Sequence, residues 1–264
     1  MGSSLLTSEQ VNQYLSRINC QQDKPSLRYL RHLHRQHMLT LPFENLDNFL
    51  GYQILLDIHK IFHKVMIRHR GGFCYELNGL FYQLLLALGY QANLISCRVH
   101  HSEGKVGPEF DHMAILVEIE GMQYLVDVGF GESFRAPLKL KTDLIQMDFK
   151  QYYKIVRDAN EVFRLCYSHD SVNFHSQYNF TLTPRTLIEF IDMCQFHHQN
   201  KESHLVKKIY VHLCKKNGQL ILTNNQLTIE VDGRTEKYAI HNRDEFVVKL
   251  QQHFGMDFKR NIEK

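Results

Sequence analysis

The 264-residue chain is 44% hydrophobic and 22% charged, and 31 Lys and Arg against 28 Asp and Glu leave a formal charge of +3. This length can bury one large core or two to three small ones, while the balanced charge, without a long single-sign run, excludes the concentrated basic face of a nucleic-acid binder. No apolar run approaches the roughly 18 residues of a membrane span, no charged-then-apolar leader opens the chain, and the six cysteines contain no C-x-x-C, which suits a reducing cytoplasm.

Met1-Gly2 is followed at position 6 by Leu, not the Ser or Thr of a myristoylation signal. Thr7 and Gln10 make a capping-box start for a helix to about Ile18. A second helix is expected from about Pro25 to Met38 and a third from Asp57 to about Ile67. The second carries His32, His34 and His37, of which only His34 and His37 share a face. No acidic ligand stands near them at a telling spacing, and the pairs His100-His101 and His197-His198 point apart, so no metal is expected.

Gly71-Gly72 breaks regular structure and allows close backbone approach. Beyond it, Leu77, Leu80, Phe81, Leu84, Leu85 and Leu88 recur at helical spacing up to a terminating Gly89. Cys74 then lies in the first helical turn, where unpaired N–H groups and the dipole favour a thiolate. Residues 92–99 read as a strand, and 111–119 and 122–128 as a hairpin around Glu120-Gly121. In that register facing residue numbers sum to 241, which sets His112 and Asp127 on one face as diagonal neighbours, beside the small Ala114 and Gly129. A one-residue slip separates them. A thiol, an imidazole and a carboxylate are the groups of an activated cysteine nucleophile. The competing reading is a buried apolar cysteine and a half-buried histidine beside a strand-end aspartate.

Further strands are expected at 151–157, 161–167 and 174–182, with turns at Asp158-Ala-Asn160 and His169-Asp-Ser171, a series that suggests a small antiparallel barrel. Thr183-Pro184 heads a helix to about His197. A meander follows with turns at Asn217-Gly218, Asn224-Asn225 and Asp232-Gly233. Asn242 caps a closing helix whose Phe246, Val247, Leu250 and Phe254 form a stripe ended by Gly255. The fold class is α+β. It divides into a helical part, 1–88, carrying the cysteine; a β-barrel, 89–182, carrying the histidine and aspartate; and an α/β lid, 183–264.

Arg70-Gly-Gly-Phe-Cys74-Tyr-Glu76-Leu-Asn78, with Leu41-Pro-Phe43-Glu44-Asn45 before it and Asp111-His112-Met and Val126-Asp127-Val-Gly129-Phe130-Gly131 after it, resembles the arylamine N-acetyltransferase family. The resemblance implies a cysteine-proteinase-like core with Cys74 as acetyl-accepting nucleophile, His112 as base and Asp127 as orienting acid. It implies a structural ion pair of Arg70 with Glu44, acceptor contacts from Phe43, Val99 and Phe130, and close approach of the co-substrate at Gly129 and Gly131. Acetyl-CoA would be co-substrate, with no permanently bound cofactor, and an arylamine or arylhydrazine the acceptor. The loop from about Ser102 to Phe110 would contact CoA, though it holds no phosphate-binding motif. Phe43 and Val99 taken alone are ordinary core residues, and Glu76 and Asn78 need only satisfy local backbone groups. An amide synthase of the same fold fed by an acyl carrier, a transglutaminase- or papain-like hydrolase and a non-catalytic binding protein are the alternatives. The Arg-Gly-Gly-x-Cys-x-Glu-x-Asn segment speaks against the hydrolase.

Overall fold

The structure is a computed structural model describing residues 5–101 and 104–256; Met1-Gly2 and Ser102, the first residue of the expected CoA loop, lie outside the described residues. Capping sets the first helices. Thr7 and Gln10 exchange hydrogen bonds of 3.2 and 3.0 Å and start α1, Ser8–Arg17. Ser26 Oγ accepts from Tyr29 N–H and starts α2, Leu27–Thr40, two residues downstream of the expected span. Two short elements follow, β1, Phe43–Glu44, and α3, Asp47–Leu50, neither long enough to show a period. The helix expected over 57–67 divides into α4, Ile58–Phe62, and a π-turn, His63–Ile67, in which Arg68 N–H reaches back five residues to His63 O. The helix α5, Cys74–Ala87, ends before Gly89, whose φ of +86° is the left-handed terminator the sequence suggested.

The middle of the chain supplies β2 (Gln91–Val99), β3 (His112–Ile119), β4 (Met122–Val126), β5 (Leu138–Lys139), β6 (Gln146–Asp148), β7 (Gln151–Arg157), β8 (Phe163–Ser168) and β9 (His175–Phe180). They form one antiparallel sheet in the order β5-β4-β3-β2-β9-β8-β7-β6. Its two edges meet where the Gln146 amide bonds both the N–H and the C=O of Lys139, at 2.8 and 2.9 Å, nearly closing a barrel. The β3–β4 hairpin takes the expected register, Ile115 facing Val126 and Ile119 facing Met122. Glu120 (φ +52°) and Gly121 (φ +73°) make the turn, the pair of positive values that matches strand twist. The ladder stops at Val126, two residues short of the expected end, so Asp127 stands just beyond it. Alternation along β3 sends Met113, Ile115 and Val117 into the core shared with the helices, and Ala114 and Leu116 into the barrel with Leu125. His112 and Asp127 fall in the barrel-facing phase of that alternation.

Thr183-Pro184 does not open a helix. Arg185 N–H goes instead to Leu94 O at 2.8 Å, continuing the antiparallel pairing of this stretch with β2, and turning begins only where Thr186 meets the Glu189 carboxylate. A 3₁₀ turn, Leu187–Phe190, then leads into α6, Ile191–Gln199. Next come β10 (Tyr210–Lys215), β11 (Gly218–Thr223), β12 (Gln226–Val231), β13 (Arg234–Ala239) and α7, Arg243–Phe254, capped by Asn242. The turns at Asn224-Asn225 and Asp232-Gly233 are as read, but the first is Lys216-Asn217, because Lys215 pairs with Gly218. Gly218 is needed inside the strand: a Cβ there would stand 1.7 Å from Glu230 O. The five-stranded sheet runs β1-β10-β11-β12-β13, so a strand from the start of the chain completes it, Phe43 facing His212 and Glu44 facing Val211. Leu250 and Phe254 of α7 pack on Val211, Leu213, Leu220, Leu222 and Leu227 of that sheet. Among the described residues no helix is long and apolar enough to cross a membrane.

Candidate active site

The loop before α5 passes where side chains cannot. A Cβ on Gly71 would lie 2.0 Å from Pro42 O, and Glu44 N–H bonds Gly72 O at 2.9 Å, so the glycine pair serves the close approach expected of it. Phe73 offers no side-chain cap; Glu76 reaches back to accept from Phe73 N–H at 3.2 Å. Cys74 is thereby the first helical residue, 5% exposed. Gly129 lies against it: a Cβ there would be 2.8 Å from Cys74 Cα. Met113 N–H, next along from His112, is directed at the Cys74 sulfur.

Asp127 is fully buried and collects four donors. His112 Nε2 lies 2.7 Å and Tyr178 Oη 3.1 Å from Oδ2, while Asn78 Nδ2 at 2.9 Å and Gly129 N–H at 3.0 Å bond Oδ1. Burial alone would raise this carboxyl, but the His112 charge and the hydrogen bonds of His112, Asn78 and Gly129 outweigh it and hold Asp127 below its usual range. A carboxylate can only accept, so His112 Nε2 carries its hydrogen and Nδ1 is the nitrogen left for a second partner. Asn78 does more than satisfy local backbone: it bonds Asp127 and Met113 O and accepts from Val128 N–H, tying α5 to both strands.

The cysteine differs from expectation. Burial pushes its thiol well up, the neighbouring Cys194 and Asp127 add to this, and Met113 N–H opposes only in part. Exclusion of water outweighs the first-turn amides, so an anionic Cys74 requires a cation beside it.

The Phe130 ring stands edge-on to His112 at 5.1 Å and 5.6 Å from Tyr178. Val99, half-buried, faces Tyr178 across the β2–β9 pair. Phe43 sits apart from these, edge-on to Tyr210 at 6.1 Å, with Gly131 (φ +88°) between them and the Phe130 loop. A cavity of about 400 Å³ is lined by Arg135, Lys150 and Arg234 together with the carboxylates of Glu132, Asp148 and Glu230, and by none of Cys74, His112 and Phe130. Arg70 and Glu44 pair at 2.7 Å, inside a larger buried cluster that sequence reasoning missed. Asp47 bonds Arg70 and Lys64, each at 2.6 Å, and Lys64 bonds Glu76 at 2.8 Å. Lys64 reaches them from the π-turn, which no local signal announces. Three carboxylates face two cations there. Lys64 and Arg70 overcome burial to hold Asp47 low, whereas burial, reinforced by Asp47 and Glu44, pushes Glu76 up to about 7 against the pull of Lys64.

Tyr178 and His34 were also missed. His34 Nε2 bonds the Asp127 carbonyl at 3.0 Å and stacks on Phe134, while His37 Nδ1 meets Tyr14 Oη at 2.9 Å. Both are neutralised by burial. Among the described residues no group of three or more His, Cys, Asp or Glu is placed to hold a metal ion.

A family profile described as N-acetyltransferase matches residues 26–262. The sequence is 30% identical over 252 residues to an arylamine N-acetyltransferase of Escherichia coli, covering 93% of this chain and 88% of that protein. The fold is similar to the arylamine N-acetyltransferase of Salmonella typhimurium, with a TM-score of 0.89 and 30% identity over 95% of this chain and 92% of the other. It is also similar to the Mycobacterium marinum arylamine N-acetyltransferase in complex with CoA, with a TM-score of 0.86 and 28% identity over 95% and 94% of the two chains.

Proposed function

Because the chain belongs to the arylamine N-acetyltransferase family, we propose that it moves an acetyl group from acetyl-CoA to the nitrogen of an arylamine or arylhydrazine by way of an acetyl group on Cys74. The observation that carries the intermediate is the His112–Asp127 bond, with Nδ1 of the same ring left for the thiol. His112 takes the Cys74 proton and becomes the cation that the buried thiolate needs; Asp127 fixes the tautomer and stabilises the imidazolium. The thiolate attacks the thioester carbonyl, the C–S bond to CoA breaks, and the departing sulfur takes the proton from His112. One thioester replaces another, so the step is nearly isoenergetic. The neutral amine then attacks acetyl-Cys74, gives its proton to His112, and the thiol is restored.

Phe130 and Val99 flank this centre on the acceptor side, Phe43 lines it further out, and Gly129 and Gly131 keep the acyl path clear of side chains. Arg70 and Glu44 hold the loop before Cys74 in place. Residues 1–88, 89–182 and 183–264 act as nucleophile-bearing, base-bearing and covering parts. Six free, buried thiols support a cytoplasmic setting.

Mass spectrometry of the intact protein after acetyl-CoA tests the reading. An acetyl adduct should appear on Cys74, be discharged by an arylamine but not by water alone, and be absent from a folded Cys74→Ala variant. An unlabelled wild type, or normal turnover by Cys74→Ala, removes it.

A further inference from the structure

His197 and Asp111, which play no part in the chemistry above, meet at a junction of all three parts of the chain. Asp111 immediately precedes His112, and its side chain is 3% exposed. His197 Nε2, from α6, lies 3.0 Å from Asp111 Oδ1 and 3.2 Å from the Asp111 carbonyl. The other carboxylate oxygen accepts from Val99 N–H at 3.3 Å and faces His101 Nε2 at 3.4 Å. Tyr75, the neighbour of Cys74, donates its hydroxyl to the carbonyls of Phe110 and Asp111 at 2.7 and 3.2 Å. A Cβ on Gly107 would lie 2.0 Å from Asp111 Oδ2, so the loop is shaped to this carboxylate. Asp111, the residue before the base, therefore joins the residue after the nucleophile, the end of β2 and the C-terminal part.

On the far side of the ring, His197 Nδ1 lies 2.9 Å from Ser203 Oγ. Ser203, His197 and Asp111 are connected like a serine nucleophile and its relay, but the serine is no nucleophile. Its Oγ accepts from Leu205 N–H at 3.2 Å, capping the next turn, and the residue is 2% exposed. With Asp111 ionised and accepting, Nε2 carries the hydrogen and Nδ1 accepts from Ser203, so a neutral ring satisfies every partner. The array is built to hold a position.

We propose that Asp111 and His197 are positioning residues that set His112 against Cys74, so that the C-terminal part of the chain controls the geometry of the catalytic pair. The proposal rests on the Cys74–His112–Asp127 reading. Its force comes from geometry: displacement of Asp111 moves the main chain of His112 on one side and, through Tyr75, the first turn of α5 on the other. His197 touches none of Phe43, Val99, Gly129, Phe130 and Gly131, and Asp111 meets Val99 only through its main-chain N–H, so acetyl-CoA saturation should not report on the His197 variants.

The test compares His197→Phe, His197→Gln and Asp111→Asn with wild type in single-turnover acetylation of Cys74, acetyl-CoA saturation, the pH profile of iodoacetamide alkylation, and melting. Phe fills the space without a donor and should slow acetylation on the order of 10–10²-fold, the scale of an ångström misplacement, and move alkylation to higher pH with saturation unchanged. Gln carries an amide N–H near the place of Nε2 and should recover most of the rate. Acetylation of folded His197→Phe at the wild-type rate overturns the proposal, as does equal loss in the Phe and Gln variants tracking their melting. Should His197→Phe fail to fold, the near-isosteric Asp111→Asn, which sets an NH₂ against one group of donors, decides in the same way. Wild type that forms no acetyl-Cys74 would remove the triad reading instead, a separate result.

Discussion

Replacing Asp127 by Asn changes one atom and cannot be accommodated. The carboxylate receives His112 and Tyr178 on Oδ2 and Asn78 and Gly129 on Oδ1. An amide must turn its NH₂ towards one of those pairs. Towards Asn78 and Gly129 it leaves two buried donors facing a donor, at about 1–3 kcal/mol each, so on the order of 2–6 kcal/mol of stability. Towards His112 it is relieved if the imidazole moves its hydrogen from Nε2 to Nδ1, but Nδ1 is then no longer a base for Cys74. That wrong-tautomer route costs on the order of 10⁴-fold in rate where an orienting carboxylate has been so replaced in other triads, equivalent to about 5.5 kcal/mol of barrier. We expect Asp127→Asn to slow single-turnover acetylation by about 10²–10⁴-fold and to raise the pH at which Cys74 is alkylated, because the imidazolium loses its anionic partner. Since the folded state holds Asp127 below its ordinary value, the wild-type carboxylate contributes stability above about pH 4 that is lost as pH falls; the variant should show a flatter acid limb. A folded Asp127→Asn acetylated within tenfold of wild type, with an unmoved alkylation profile, would refute the reasoning.

Gly129→Ala places a Cβ 2.8 Å from Cys74 Cα and from Asn78 Nδ2; it should destabilise by about 1–3 kcal/mol and lose acetyl-enzyme formation, whereas an active variant would mean that α5 can retreat freely. Glu76 is pushed up to about 7, so the folded chain keeps a proton that the unfolded chain releases near 4.5, and stability present below that pH is lost as pH rises through about 7. Glu76→Gln keeps an acceptor for Phe73 N–H and should remove that slope, as read from melting between pH 4.5 and 8; an unchanged slope would place the extra proton elsewhere. Initial rates at several acceptor concentrations should give parallel double-reciprocal lines, while intersecting lines would favour direct transfer in a ternary complex.

The parts legible in the sequence were those decided locally. Glu120-Gly121 imposes its turn through two positive φ values, and that turn sets the register bringing His112 and Asp127 to one face. The α5 stripe with Gly89, and the Thr7–Gln10 box, are likewise written in neighbouring residues. What escaped was decided by partners distant in the chain. Phe43–Glu44 is a strand only because β10 lies beside it, and Thr183-Pro184 loses its helix because Leu94 O claims Arg185 N–H. Asp47 and Lys64 join Arg70 and Glu44 only after the π-turn has rotated Lys64 inward. Tyr178 alternates into the barrel as its strand pattern allows, but nothing in that pattern names Asp127 as its neighbour. The first-turn position of Cys74 does not by itself lower its thiol, for a related reason: helix position is local, whereas burial belongs to the whole fold.

The strand borrowed from the start of the chain also sets a timetable. Phe43 pairs with His212, 169 residues later, and at about 5–20 residues per second a ribosome needs roughly 8–34 s to bridge that gap. Through that interval Glu44, whose backbone completes the C-terminal sheet and whose carboxylate holds Arg70 beside the nucleophile loop, waits for half of its surroundings. Nascent chains stopped before Tyr210 should therefore carry Cys74 on a loop secured from one side only. Their Cys74 should be labelled by bulky thiol reagents that are shut out of the finished protein, where the residue is 5% exposed and open only to small reagents such as iodoacetamide.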